Sequence, residues 1–286
     1  MTNGIHAVGL VIRQSTRLLG LEAFSMQLIA GIEESLSAEG RSLLLHIVGT
    51  PDAELATYRR WAEQQQVEAV VVHNLTVDDP RLGVLEELGV RTVVVGGPSQ
   101  DLPVANVFVD NAAEANEAVD HLVALGHRRI ARVSGPADLA HSRTRTDAFL
   151  TRCDRLGASG VVVEGDYGEA SGARATRDLL ARDERPTAIV FDNDVMAVAA
   201  LDVAREAGLR VPADLSLLAW DDSPLARHAA PPLSAMSFDV HALGVQVGDC
   251  VLNAVASGPV RSYAVPPAHL VTRGSTGPAP AAERSA

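Results

Sequence analysis

Short apolar runs that scarcely alternate with polar residues recur along the chain. They are Ala7–Ile12, Ser42–Val48, Ala69–Val72, Thr92–Val95, Arg129–Val133, Gly160–Val163, Thr187–Phe191 and Leu215–Trp220. A strand with one wet face alternates, whereas runs like these fit strands covered on both faces, as in parallel sheets. Amphipathic helical stretches lie between them. Phe24, Leu28, Ile29, Ile32 and Leu36 share a face before Gly40. Val119, Leu122, Val123 and Ala124 precede Gly126, and Val195, Val198, Ala199, Leu201 and Val203 precede Gly208. Glycine just past a helix is the usual stop signal. Strand–helix alternation predicts an α/β, doubly wound architecture with right-handed crossovers. The strands are too many for one comfortable sheet, and a division near residue 108 gives two series of βα units, so two Rossmann-like lobes are expected.

Ligands in such sheets bind beyond the carboxyl ends of the strands. The residues there are Arg13, His73-Asn74, Gly96-Gly97, Ser134-Gly135-Pro136, Asp192-Asn193-Asp194 and Asp221-Asp222. The set is polar and hydrogen-bonding, with no evident nucleophile–base pair. It suits a polyhydroxylated ligand better than a reaction centre.

Composition narrows the function further. All 24 cationic side chains are Arg, and the net charge over 286 residues is −12. Without Lys, Schiff-base chemistry, a P-loop lysine and an S-x-x-K dyad are excluded. The acidic balance argues against direct nucleic-acid binding by this body. G-x-G-x-x-G, G-x-S-x-G, H-E-x-x-H and C-x-x-C are all missing from the sequence, and no histidine pair has a metal-ligand spacing, so neither metal nor cofactor is expected. His127, after Gly126, reads as a residue at the negative end of a helix. Asp192, Asp194 and Asp221 read as hydrogen-bond acceptors or helix N-caps rather than as catalytic acids. Cys153 and Cys250 read as reduced core thiols. No run is long enough to span a membrane, and the N-terminus has no secretion-signal pattern, so a cytoplasmic protein is expected. Residues 274–286, rich in Gly, Ser, Pro and Ala, read as a disordered tail.

Several ordered motifs together resemble the LacI/GalR family of bacterial transcription regulators. They are Val109-Asp110-Asn111, His121-Leu122, Leu125 to Ala131, Ser134-Gly135-Pro136, Pro186 to Ala197, Gly208 to Ser216, Trp220-Asp221-Asp222, Pro231 to Ser234, and a closing segment from Pro267 to Gly277. The resemblance runs from about residue 7 to 277. It implies a type I periplasmic-binding-protein-like core, with two Rossmann-like lobes joined by three crossover segments. Residues 5–108 plus 239–263 would form the N-terminal lobe, and 109–238 plus 264–273 the C-terminal one. A sugar or related effector would sit between them and shift operator binding by lobe movement. Members carry a helix-turn-helix head before the first core strand; here that strand starts within a few residues of Met1. Operator DNA is thus expected to be reached only through a head that this sequence lacks.

The resemblance also carries site residues. Asn193 matches an effector-binding Asn, whose amide both donates and accepts. Asp221 matches an acceptor of sugar hydroxyls. Arg145 matches a clamping Arg, and Tyr167 matches an aromatic that stacks on the effector. Arg13 and Gly96 depart from the family pattern toward a more positive site. An anionic effector is one reading of that change; the other pairs Arg13 with Asp192, Asp221 or Glu22 and leaves the site neutral. His73 stands at a rim position. A homodimer is expected, with the helix around Phe24–Leu36 and the segment Asp239–Val255 as its surfaces. A solute-binding protein of a sugar transporter is the alternative function, and an enzyme is not expected.

Overall fold

The computed structural model describes residues 6–13, 23–97 and 102–281, so Ile5, Glu22 and residues 282–286 lie outside the described residues. The first elements are β1 (Ala7–Arg13), α1 (Ala23–Ala38), β2 (Ser42–Val48), α2 (Pro51–Glu63), β3 (Ala69–Val72), α3 (Pro80–Glu87), β4 (Arg91–Gly97) and β5 (Ala105–Phe108). Next come α4 (Asn111–Ala124), β6 (Arg129–Ser134), α5 (Ala140–Arg155), β7 (Ser159–Glu164), α6 (Glu169–Leu180), β8 (Ala188–Phe191), α7 (Asp194–Glu206), β9 (Ser216–Trp220), α8 (Pro224–His228) and β10 (Ser234–Ser237). The chain closes with α9 (Val240–Val255), β11 (Ser262–Ala264) and β12 (His269–Val271).

These elements form two compact units, Met1–Val109 with Asp239–Val265 and Asp110–Phe238 with Pro266–Ala286. The first holds a sheet in the order β11-β5-β4-β3-β1-β2, with all of its pairs parallel. The second holds β12-β10-β9-β8-β6-β7, parallel except where β12 runs against β10. All eight apolar runs are strands of these sheets. Gly40, Gly126 and Gly208 end α1, α4 and α7 with φ of 70°, 94° and 70°, a conformation that costs glycine no Cβ clash.

In the second unit Ala131, Val133, Ile189, Phe191 and Leu217 point into one core with Met196, Ala197 and Ala200 of α7. Ile130, Val190, Leu218 and Trp220 point into the other, with Val119 and Leu122 of α4 and Phe149 and Cys153 of α5. Cys153 and Cys250 are free and buried, and burial pushes their thiols up to about 12 and about 11.

One expectation is narrowed here and another corrected. Of the two helices expected as surfaces for a second copy, one face of α1 and one face of α9 cover each other inside the first unit, which leaves only their outer faces for such a role. A Cβ on Gly31 of α1 would stand 2.1 Å from the His241 carbonyl oxygen, and one on Gly244 of α9 would stand 2.4 Å from that of Leu28. Contact this close buries Leu28, Ile32 and Leu36 of α1 with Leu243, Val247 and Val251 of α9, and Ser35 donates to Asp249 at 2.6 Å. The large apolar side chains left exposed in this unit include Met26 on α1 and Leu44, Leu45 and Ile47 on the edge strand β2.

The segment after Gly274, read from its composition as disordered, is docked as far as it is described. Ser275 and Ala279 are fully buried. The Ser275 carbonyl accepts from Leu217 N at 2.8 Å and its hydroxyl donates to Leu217 O at 2.6 Å, so the tail extends the ladder beside β9 where β10 has not yet begun. Small residues let it lie close against that strand.

Candidate functional site

At the carboxyl end of the second sheet, the loops after β6, β7, β8 and β9 build a polar wall. Tyr167 follows β7 with φ of 66°, and Asp221 follows β9 with φ of 70°; both occupy the left-handed region, which turns the chain sharply after the strand. The Tyr167 ring lies on Gly135, where an added Cβ would come within 2.1 Å of the ring. Its hydroxyl is 2.8 Å from Nε2 of His141, in the first turn of α5. Burial pushes that hydroxyl well above the ordinary tyrosine range; the charges of Asp192 and Asp221 add to the rise, and Arg145 and Arg132 oppose it.

Asn193 is the N-cap of α7. Its Oδ1 accepts from Met196 N at 2.9 Å, and its Nδ2 donates to the Tyr167 carbonyl at 2.9 Å. The side chain thus joins the start of α7 to the Tyr167 turn. Arg145 donates from Nε to Asn111 Oδ1 at 2.8 Å and lays its guanidinium over the Trp220 ring, 4.3 Å from the centroid. Trp220 is held in turn by its Nε1 donating to Glu114 at 3.3 Å. Four of the residues singled out from the sequence, Asn193, Asp221, Arg145 and Tyr167, therefore collect at this one sheet end. The neighbouring acids are engaged structurally: Asp192 with Arg132, Asp194 with Ser223, and Asp222 with Arg273 and Arg227.

Arg13 and His73 belong to the first unit, at the ends of β1 and β3. The carboxylate facing Arg13 is Glu54 of α2, with Nη1 3.7 Å from Oε2; Glu54 is an acid that sequence reading passed over. Glu54 is 1% exposed, and its Oε1 accepts from Tyr58 at 2.7 Å and from Arg81 at 2.8 Å. Arg81 also bonds Asp79 at 2.6 Å and the Asn74 carbonyl at 2.8 Å, tying down the loop after β3. Two cations thus face two carboxylates. Burial, reinforced by the charge of Arg81, pushes the His73 imidazole down to about 4, so it is neutral near pH 7. Gly96 takes φ of 67° at a break in the β4–β5 register; the backbone explains that glycine.

Burial raises the Asp79 carboxyl, but the bonds and charge of Arg81, with the Thr76 and Arg81 amides, outweigh it and hold the group below the ordinary carboxylate range. A folded-state value below the unfolded one gives stability that is present above about pH 4 and is lost as pH falls through the folded value. Urea melts between pH 7 and pH 3 are expected to show wild type losing stability faster than Asp79→Asn in acid. Parallel curves for the two proteins would contradict this.

His141 in the second unit, and Glu54, Tyr58 and Arg81 in the first, were not among the residues singled out, whereas Gly135 and Trp220 were named only as part of strand-end and family motifs. One signal was available: His141 and Arg145, like Glu54 and Tyr58, stand four apart on one helix face. Among the described residues no group of three or more His, Cys, Asp or Glu is arranged to hold a metal. No helix of the described residues is long and apolar enough to cross a membrane.

Comparison with known proteins agrees with this layout. The profile of a family described as "Periplasmic binding protein-like domain" matches residues 119–276. The HTH-type transcriptional regulator CelR of Thermobifida fusca is 31% identical over 96% of this chain and 82% of its own length. The crystal structure of a LacI family transcriptional regulator from Bifidobacterium animalis is 33% identical, with a TM-score of 0.88 over 96% of this chain and 99% of that one. A complex of the transcriptional regulator CelR with cellobiose is 28% identical, with a TM-score of 0.86 over 94% of this chain and 84% of that one.

Proposed function

The chain belongs to the LacI family of transcription regulators, and on that footing we propose that it is the effector-sensing core of such a regulator. It binds a sugar or related polyol between its two lobes, carries out no chemistry, and alters operator binding through lobe movement. The observation that carries this reading is the wall of Tyr167, Arg145, Asp221 and Asn193 at one sheet end. It offers a flat ring, a guanidinium, a carboxylate and an amide, which together suit the alternating donors and C–H faces of a sugar. Operator contact belongs to a basic helix-turn-helix head, because a body of charge −12 repels phosphate. A regulator of this kind works in the cytoplasm. The transporter-linked alternative is not favoured, since the named relatives are transcription regulators.

The pairing of Arg13 and Arg81 with Glu54 and Asp79 supports an uncharged effector over an anionic one. In a thermal-shift panel, neutral disaccharides including cellobiose are expected to raise Tm, and their phosphorylated counterparts to add nothing. Saturation at 100-fold over Kd contributes about 2.7 kcal/mol, a shift of roughly 5–10 °C for a chain of this size. Stabilisation by sugar phosphates alone would overturn the uncharged reading, and a flat response to the whole panel would overturn sugar sensing.

The chain is further expected to be a homodimer, with Leu44, Leu45 and Ile47 of edge strand β2 and Met26 in the interface. An exposed apolar edge strand of this kind calls for a partner. Light scattering at micromolar concentration is expected to give twice the 30.1 kDa chain mass, with Leu45→Arg returning the monomer. A monomeric wild type would refute it.

A further inference from the structure

Arg132 and Asp192 form an ion pair with both side chains fully buried, Arg132 between Ala131 and Val133 in β6 and Asp192 just past the end of β8. Removing two charges from water is costly, and an apolar pair of similar volume is often no less stable. The bonds the pair makes suggest what it does. Arg132 grips Asp192 with Nε at 2.9 Å and Nη2 at 2.6 Å. It then reaches α5, with Nη1 donating to Thr146 Oγ1 at 2.5 Å and Nη2 to the Ser142 carbonyl at 3.4 Å. Those residues directly follow Arg145 and His141 in the chain. On the other side, Asp192 accepts from Gly135 N at 3.0 Å. The Gly135 carbonyl accepts from Ser134 and Ser142 hydroxyls at 2.8 Å and 3.1 Å. That peptide is the floor under the Tyr167 ring.

We propose that the Arg132–Asp192 pair is the positioning element of the effector site, fixing α5 and the Gly135 peptide so that Arg145, His141 and Tyr167 meet the ligand in one preset arrangement. This rests on reading the second sheet end as an effector site. Neither side chain touches the ligand; both act through the residues they place. An apolar replacement can fill the same space but cannot bond Thr146 or the Gly135 amide, so it separates packing from positioning.

The test compares wild type with Arg132→Met/Asp192→Leu, and with Asp192→Asn as a near-isosteric second variant should the double one fail to fold. Three readouts are needed: the melting curve, hydrogen exchange of residues 140–146, and the 19F resonance of Trp220 in 5-fluorotryptophan-labelled protein. Trp61 supplies the only other tryptophan signal. A folded variant is expected to exchange about tenfold faster at the start of α5, to shift the Trp220 resonance while that of Trp61 stays, and to bind cellobiose about tenfold more weakly. A folded variant with unchanged exchange and an unchanged Trp220 resonance would overturn the proposal. If wild type binds none of the neutral sugars, the effector reading falls, and exchange and the Trp220 resonance still decide the positioning role.

Discussion

Replacement of His127 by alanine is expected to destabilise the second unit by about 3–5 kcal/mol, the range for removing a buried side chain together with its hydrogen-bond network. His127 is fully buried. Its Nδ1 is 2.8 Å from Thr187 Oγ1, at the threshold of β8, and its Nε2 is 3.1 Å from both Ser216 Oγ of β9 and the Gly277 carbonyl of the tail. A carbonyl only accepts, so Nε2 carries a hydrogen and the ring orientation is set. One imidazole thus joins two central strands to a segment 150 residues away. Alanine would leave a cavity and take one hydrogen-bond partner from each of three polar groups where water has little access. Urea unfolding should show the lower midpoint, and hydrogen exchange should show Ser275 and Gly277 released before the sheet opens. A loss below about 1 kcal/mol, with the tail still protected, would contradict this account.

His127 also shows where sequence reasoning reached its limit. Its place after Gly126 was legible, and Gly126 does end α4. The partners that make it a junction, Thr187, Ser216 and Gly277, lie 60, 89 and 150 residues away, and no local pattern reports on them. Elements that depend on local physics were readable. Uninterrupted apolar runs became strands, most of them covered on both faces but edge strand β2 left with Leu44, Leu45 and Ile47 exposed, and glycines marked helix ends. β5 and β10 were missed because Ala-Asn-Val-Phe and Ser-Ala-Met-Ser are short and partly polar; their pairing is dictated by neighbours rather than by their own pattern. The tail was misread for a related reason. Gly, Ser and Pro mark disorder when a segment is alone, yet Ser275 and Gly277 fit along β9 because they are small. That Asn193, Asp221, Arg145 and Tyr167 gather at one sheet end was legible as a set of positions, since strand ends are where α/β sheets gather polar loop residues. Charge partners were not: Glu54 meets Arg13 only after α2 packs beside β1, which turned a suspected cationic pocket into a balanced one.

Arg145 is where that balance bears most directly on function, and Arg145→Ala is expected to weaken binding of the best neutral sugar by about 100-fold or more. Its Nε is engaged by Asn111 and its flat face by Trp220, so on the proposed reading the terminal Nη edge is the part offered to a ligand. A pair of charge-assisted hydrogen bonds from that edge is worth about 3 kcal/mol, and each 1.4 kcal/mol is about a factor of ten in affinity. Folding should suffer far less, because a stacked guanidinium and one hydrogen bond together contribute about 1–2 kcal/mol. Arg145→Lys keeps the charge but loses the planar fork and most of the stacking on Trp220, so it is expected to fall between wild type and alanine. Calorimetric titration of the three proteins, beside their melting curves, separates the possibilities. Affinity for the alanine variant within about threefold of wild type would remove Arg145 from the site, since that corresponds to less than one hydrogen bond. An equal loss for lysine and alanine would instead assign the contact to the shape of the guanidinium rather than to its charge.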